Sequence, residues 1–186
     1  DILMTNAAVQ PPGSISSIQV KHWELEFKVN VHGPFYCVRA ALPSMISRGS
    51  GNIINISSVG ALRGTHYGAT KRAIEAMTVG LADEMLAHGI TVNCLKPVGR
   101  IETPGSLFRR TPDKDGGHIR DPSVPLPDSY VEAAVLLALQ TPTSFTGEVH
   151  HDASIIELLA DESTKAHFRT ENPPDWVAAM SDAIAD

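Results

Sequence analysis

The chain has 186 residues, 42% of them hydrophobic and 19% charged, with a formal net charge of -6; this is the profile of a globular chain with one core rather than of a disordered or fibrous one. The acidic balance argues against a nucleic-acid or anionic-membrane partner, and no apolar run approaches the roughly 18–20 residues that a membrane helix needs. Cys37 and Cys94, the two cysteines, lie in apolar contexts that fit buried thiols in a reducing compartment, and with no charged-then-apolar leader the expectation is a cytoplasmic protein.

In chain order, Asp1-Ile2-Leu3-Met4-Thr5-Asn6 reads as a buried parallel strand entered without any preceding element. From Gln19 the pattern turns helical. Val20, Trp23, Leu25 and Phe27, then Phe35, Val38, Ala41 and Leu42, predict two helical segments joined near Gly33-Pro34 and ending around Arg48-Gly49-Ser50-Gly51. Asn30 falls inside this apolar stretch, where a satisfied core amide is the plain reading. Ile53, Ile54 and Ile56, β-branched and bounded by glycines, predict a fully buried central strand. It delivers Ser57 and Ser58 to its end, and because successive residues point to opposite faces, only one of them can face a given site.

The next helix opens with Tyr67 and Lys71 four positions apart, hence on one face and about 5–6 Å apart between Cβ atoms. A fixed ammonium there favours the phenolate of a side chain whose ordinary pKa is ~10, which makes Tyr67 a candidate acid/base and a strand-end serine a candidate holder of the substrate oxygen. Ala73, Ala76, Met77, Leu81, Met85 and Leu86 form the apolar face of a helix that Gly89 stops, and residues 90–95 predict the next buried strand. Residues 102–127, rich in Pro and Gly and carrying Arg109-Arg110, predict a long loop of lid type. A helix over residues 128–139, a strand over 145–149 and two tail helices follow, the second starting at Asn172-Pro173-Pro174 and anchored by Trp176. His150-His151-Asp152 invites a metal reading. Adjacent residues diverge on a strand, however, and no further ligand cluster accompanies them, so no metal is expected.

Five of these segments stand in an order that resembles the short-chain dehydrogenase/reductase family over residues 2–151: Thr5-Asn6-Ala7-Ala8, Asn30 in Asn30-Val-His-Gly-Pro-Phe35, Ser58 in Asn55-Ile-Ser-Ser58, Tyr67-Gly-Ala-Thr-Lys71, and Val92-Asn93-Cys94-Leu95-Lys96-Pro97 followed by Thr103. A lone Tyr-x-x-x-Lys is a weak signal; five ordered motifs are a strong one. The resemblance implies an α/β fold, a Rossmann-like doubly wound parallel sheet represented from its fourth strand onward. Residues 1–152 would be the C-terminal part of that domain and residues 153–186 a helical extension. It implies hydride transfer between NAD or NADP and a small-molecule alcohol or ketone. Tyr67 would be the acid/base, Lys71 would lower its pKa and hold the nicotinamide ribose, and Ser58, ahead of Ser57, would bind the reacting oxygen. The Asn30 amide carbonyl would hold a water that completes a proton relay. Asn6, Ala7 and Ala8 would line the cofactor cleft, and Pro97, Ile101 and Thr103 would carry the turn over the nicotinamide. The family's helix pairing further implies a homo-oligomer through the helices containing Phe35 and Tyr67.

The departures are as informative as the matches. Neither Gly-x-x-x-Gly-x-Gly nor Gly-x-Gly-x-x-Gly occurs; Gly60 and Gly64 have the first spacing, but His66 stands where the third glycine is required. The expectation is an N-terminally truncated sequence with an exposed sheet edge. Residues 59–66 are fewer than the family interposes, which predicts a more open pocket mouth, and Pro97-Val98-Gly99 replaces a Pro-Gly turn. Two rival functions follow: a binding or scaffold protein that keeps this fold with impaired catalysis, and a serine hydrolase pairing Ser58 with His66 or another histidine. The second lacks the first glycine of a Gly-x-Ser-x-Gly turn in Ile56-Ser57-Ser58-Val59-Gly60.

Overall fold

The computed structural model describes residues 1–103, 124 and 126–171. Four strands, β1 (Ile2–Thr5), β2 (Gly51–Ile56), β3 (Ile90–Lys96) and β4 (Val149–His151), pair in chain order, every pair parallel. Parallel neighbours need crossovers. Those before β2 are α1 (Val20–Phe27) and α2 (Gly33–Arg48), joined by one π-helical turn, Lys28–His32. Next come α3 (His66–Met85) and α4 (Asp128–Ala138), while α5 (Asp152–Leu159) and α6 (Glu162–Glu171) follow β4.

Alternation along the central strands sorts the core into two layers. Ile53 and Val92 pack with Val38, Leu42 and Met45 of α2 and Ala82 and Met85 of α3. Ile54, Ile56 and Leu95 point the other way, against Ala133, Leu137 and Ile155 from α4 and α5. The fold is therefore an α/β doubly wound sheet with both faces covered, the arrangement all-parallel sheets require. Asparagines inside the strands tie the layers together through their side-chain amides, although Asn52 Oδ1 is buried without a partner. Asn55 accepts from the Thr5 hydroxyl (2.7 Å) and donates to Thr78 (2.9 Å). Asn52 donates to the Leu137 carbonyl at the end of α4 (2.9 Å), and Asn93 donates to Phe145 (3.0 Å).

Several expectations shift. β1 is the edge of the described sheet, exposed as expected of that edge and not buried as its apolar run suggests, with Ile2 56% and Met4 42% exposed. The two helical segments do not break at Gly33-Pro34; because Pro34 has no N–H to close an α-turn on Asn30, the ladder widens, and the Gly33 N–H reaches back to the Lys28 carbonyl. The phase expected for α1 is wrong. Val20 and Leu25 are exposed, and the buried residue is Glu26. Cys37 is exposed while Cys94 is buried, since the inward stripe of α2 runs through Val38, Leu42 and Met45 and leaves Cys37 outside it. The last strand begins at Val149 rather than residue 145 because Gly147 takes a left-handed φ of 81°, which strand geometry excludes. The tail forms two helices before Asn172, separated at Ala160 and Asp161, where the Asp161 carboxylate accepts from the Thr164 N–H (2.8 Å). Arg109, Arg110, Trp176 and the helix expected from Asn172 lie outside the described residues.

Candidate active site

Parallel register brings three strand ends to one edge of the sheet, with Thr5 beside Asn55 and Ile56 beside Leu95. Asn6, Ala7 and Ala8 emerge there, as do Ser57 and Ser58, and Pro97; carboxyl ends of parallel strands are where doubly wound folds bind ligands. The first three are exposed, and Pro97, Ile101 and Thr103 are half-buried.

The two serines diverge as strand alternation demands. Ser57 is buried and donates to Glu75 Oε1 (2.8 Å), a carboxylate that also holds Arg72 (2.8 Å) and Lys96 (3.5 Å). Ser57 is thereby committed to a structural cluster. Ser58 is half-buried and accepts from the Gly60 N–H (3.1 Å), capping the short 3-10 turn Val59–Leu62. Accepting that bond leaves its own hydroxyl proton free to donate to a substrate oxygen.

The shortened loop packs back on the helix instead of opening away from it. A Cβ built on Gly60 would lie 3.3 Å from Ser58 Oγ and 3.2 Å from Tyr67 Cδ1, so hydroxyl and phenol ring converge on one backbone position. Thr65 caps α3 by accepting from the Gly68 N–H (3.0 Å). At Gly68 the loop comes closest: any Cβ there would collide with the carbonyl oxygens of Arg63 and Gly60. Sequence reasoning missed this residue, although a short loop followed by a glycine inside a helix start was the available signal.

Lys71, only 3% exposed, lies on the Tyr67 face of α3, its Nζ 5.6 Å from the ring centroid and donating to the Ile56 carbonyl (2.8 Å). Burial pushes the ammonium down to about 8, opposed by the Cys94 sulfur. Cys94 itself is driven up to about 12, chiefly by burial and then by Glu75, so it stays a protonated thiol. Burial likewise holds the Tyr130 phenol far above its usual range. Asn30 sits in the π-turn, 1% exposed; its Oδ1 accepts from Val9 N–H (2.8 Å) and its Nδ2 donates to the Val9 carbonyl (2.8 Å) and Thr70 (3.1 Å). The side-chain oxygen expected to hold a relay water thus accepts from the loop after β1, while Nδ2 ties that loop to α3 through Thr70.

Two further residues, whose sequence suggests only a metal possibility, act on the turn after β3. The Val98 N–H donates to Asp152 Oδ1 (2.8 Å), Ser129 donates to Oδ2 (2.8 Å), and His151 Nδ1 lies 3.0 Å from the Pro97 carbonyl. Burial holds the His151 ring below the usual imidazole range, so a neutral ring donates through Nδ1. The turn is gripped from both sides, which compensates for its irregular Pro-Val-Gly sequence. Among the described residues no cluster fits a metal ion. His66 is no base for Ser58, because both of its ring nitrogens are engaged elsewhere, with Glu26 and Gly13.

A model of the short chain dehydrogenase family matches residues 1–111, and with the fold and strand-end residues just described the chain belongs to that family. It is 34% identical over 156 residues to the (2S)-[(R)-hydroxy(phenyl)methyl]succinyl-CoA dehydrogenase subunit BbsD of Thauera aromatica, covering 80% of this chain and 62% of the relative. Among solved structures, a short chain dehydrogenase/reductase family protein superposes with a TM-score of 0.69 at 34% identity, over 81% of this chain and 64% of that one. A gluconate 5-dehydrogenase from Burkholderia cenocepacia, solved with NADP and tartrate, gives a TM-score of 0.66 at 29% identity over 81% and 62%. The chain thus spans under two thirds of the length of these relatives.

Proposed function

We propose that the protein is an NAD- or NADP-dependent oxidoreductase interconverting an alcohol and a carbonyl, with Tyr67 as the acid/base. The observation that carries this reading is a buried ammonium, Lys71, on the phenol face of Tyr67 at the ligand edge of a doubly wound sheet. NADP in the Burkholderia dehydrogenase supports the cofactor class.

The residues present fit the nicotinamide end of such a cofactor. Small side chains at Ala7 and Ala8 permit close approach beside β1, a gripped turn at Pro97 and Val98 closes the other side, and Lys71 supplies a cation between them. Ile101 and Thr103 continue that turn. When bound, the nicotinamide supplies the hydride chemistry. The chain's part is to orient and to move one proton: Ser58 donates to the substrate oxygen, the Tyr67 hydroxyl exchanges a proton with it, and Lys71 holds the ribose and biases the phenol toward its anion. Since the Asn30 side-chain oxygen is taken by Val9, a relay through this residue runs from its backbone carbonyl, which Pro34 denies an α-helical donor.

Free thiols at Cys37 and Cys94 fit a reducing, cytoplasmic setting, and no helix among the described residues is long and apolar enough to cross a membrane. Exposed Phe35, Tyr36 and Ile46 on α2 and Val79 on α3 suit a homo-oligomer built on those two helices. The dehydrogenase-type unit then reaches past residue 152, because α5 packs Ile155 into its second core layer.

Titrating NADH and NADPH into the full-length protein, then following nicotinamide absorbance over a panel of small alcohols and ketones, tests the reading. Cofactor binding with substrate-dependent oxidation or reduction is expected. Binding without turnover across the panel would favour the scaffold alternative, and no binding at all would contradict both.

A further inference from the structure

Immediately before Tyr67, the His66 ring is enclosed with one acceptor at each nitrogen. Nδ1 lies 2.6 Å from Glu26 Oε2 and Nε2 lies 2.9 Å from the Gly13 carbonyl oxygen. His66 is 3% exposed and Glu26 is fully buried. A backbone carbonyl only accepts, so Nε2 must carry a proton. A neutral ring would then turn its Nδ1 lone pair against a carboxylate lone pair at hydrogen-bond distance, which is repulsive. The geometry closes only if an extra proton sits between the two groups, as imidazolium with carboxylate or as imidazole with carboxylic acid. In either form the pair is neutral overall, and losing that proton would leave a lone negative charge in the interior.

We propose that His66 and Glu26 form a proton-holding clasp that positions Tyr67, by fastening the first turn of α3 to α1 and to the loop between β1 and α1. That loop carries Asn6, Ala7 and Ala8, and Val9 ties it to Asn30 as well. The clasp therefore sets the phenol and the cofactor-facing loop together. His66 and Glu26 are positioning residues; neither touches the reacting atoms.

The charged group acting on the ring among the described residues is Glu26, from α1; the loop presents the Gly13 carbonyl. Burial works against the protonated ring, but the Glu26 bond and charge and the Gly13 bond outweigh it and raise the ring above the usual imidazole range. A group whose folded pKa is raised contributes stability that is fully present below its unfolded value and is lost as pH rises through the folded one. The clasp accordingly loses its contribution as pH rises through that raised value.

Glu26→Gln separates the proton from the contact. A glutamine amide can donate to Nδ1 of a neutral ring while Nε2–H still reaches Gly13, so the clasp persists without the extra proton. Glu26→Leu removes it. NMR of the 15N-labelled imidazole in the full-length chain is expected to show both His66 ring nitrogens protonated, or sharing a proton with Glu26, in the parent at neutral pH, and one nitrogen only in Glu26→Gln. Turnover is expected to survive in Glu26→Gln within about threefold and to fall about tenfold or more in Glu26→Leu. A parent ring with a single N–H beside a Glu26 carboxylate that 13C NMR shows ionised at neutral pH, or a folded Glu26→Leu with undiminished turnover, overturns the clasp. If Glu26→Leu does not fold, the parent ring and the glutamine variant decide alone. The turnover arms rest on Tyr67 being the acid/base, whereas the NMR arm does not, so a failure of that assignment remains distinguishable.

Discussion

Tyr67→Phe in the full-length protein is expected to lower turnover by about 10²- to 10⁴-fold, the range general acid–base groups contribute, while nicotinamide binding stays nearly unchanged. The phenyl ring keeps its place against Gly60 and beneath Lys71, so the substitution removes only the oxygen that exchanges the proton. Steady-state kinetics with the best substrate of the panel, beside a cofactor titration, separates the two effects. Turnover within about tenfold of the parent would remove Tyr67 from the chemistry. A parallel loss of cofactor binding would mean that the hydroxyl supports the fold of the cleft rather than the reaction.

Gly68→Ala is expected to destabilise the chain by about 3 kcal/mol or more, because its methyl would collide with the Arg63 and Gly60 carbonyl oxygens and crowd the Thr65 hydroxyl that caps the helix. Gly80 gives an internal control. It lies in the same helix, exposed, and a Cβ there would meet nothing within 4 Å, so Gly80→Ala should stabilise by roughly 1 kcal/mol through helix propensity alone. Urea unfolding of the two variants should therefore shift in opposite directions. Equal shifts would show that the loop does not bear on Gly68. If Gly68→Ala folds at all, the first turn of α3 must move, and turnover should suffer beyond what stability explains, since Tyr67 is the adjacent residue.

Contiguous pattern made part of this protein legible from its sequence. The isoleucines of β2, the apolar run of β3 and the i, i+4 placement of Tyr67 and Lys71 depend on neighbours a few positions away, and periodicity reports those directly. Divergence of Ser57 and Ser58 followed from strand alternation in the same way. What was not legible depends on contacts across long stretches of chain. Glu26 stood outside the apolar pattern of Val20, Trp23, Leu25 and Phe27, because its partner, His66, lies 40 residues on. Asp152 and His151 had no role legible in the sequence once a metal was set aside, because the turn they grip is 54 residues upstream. Asn30 was assigned through the family to a relay, yet its side chain is consumed by a backbone neighbour no spacing announces. Gly147 moved the start of β4 by a single left-handed residue, which composition cannot locate.

Lys71 carries a stability signature of its own. Its folded pKa lies below the ordinary lysine value, so the buried charge is a destabilising load at neutral pH, and that load is relieved as pH climbs from about 8 toward the unfolded value.

Titrating that ammonium by NMR, in the full-length chain labelled at lysine, asks most directly whether a buried cation stands beside the Tyr67 phenol. A Lys71 transition near pH 8 is the expected result. A transition at the ordinary lysine value of about 10.4 would contradict it, because the side chain would then be in water, and the proton-handling site built around it would not exist.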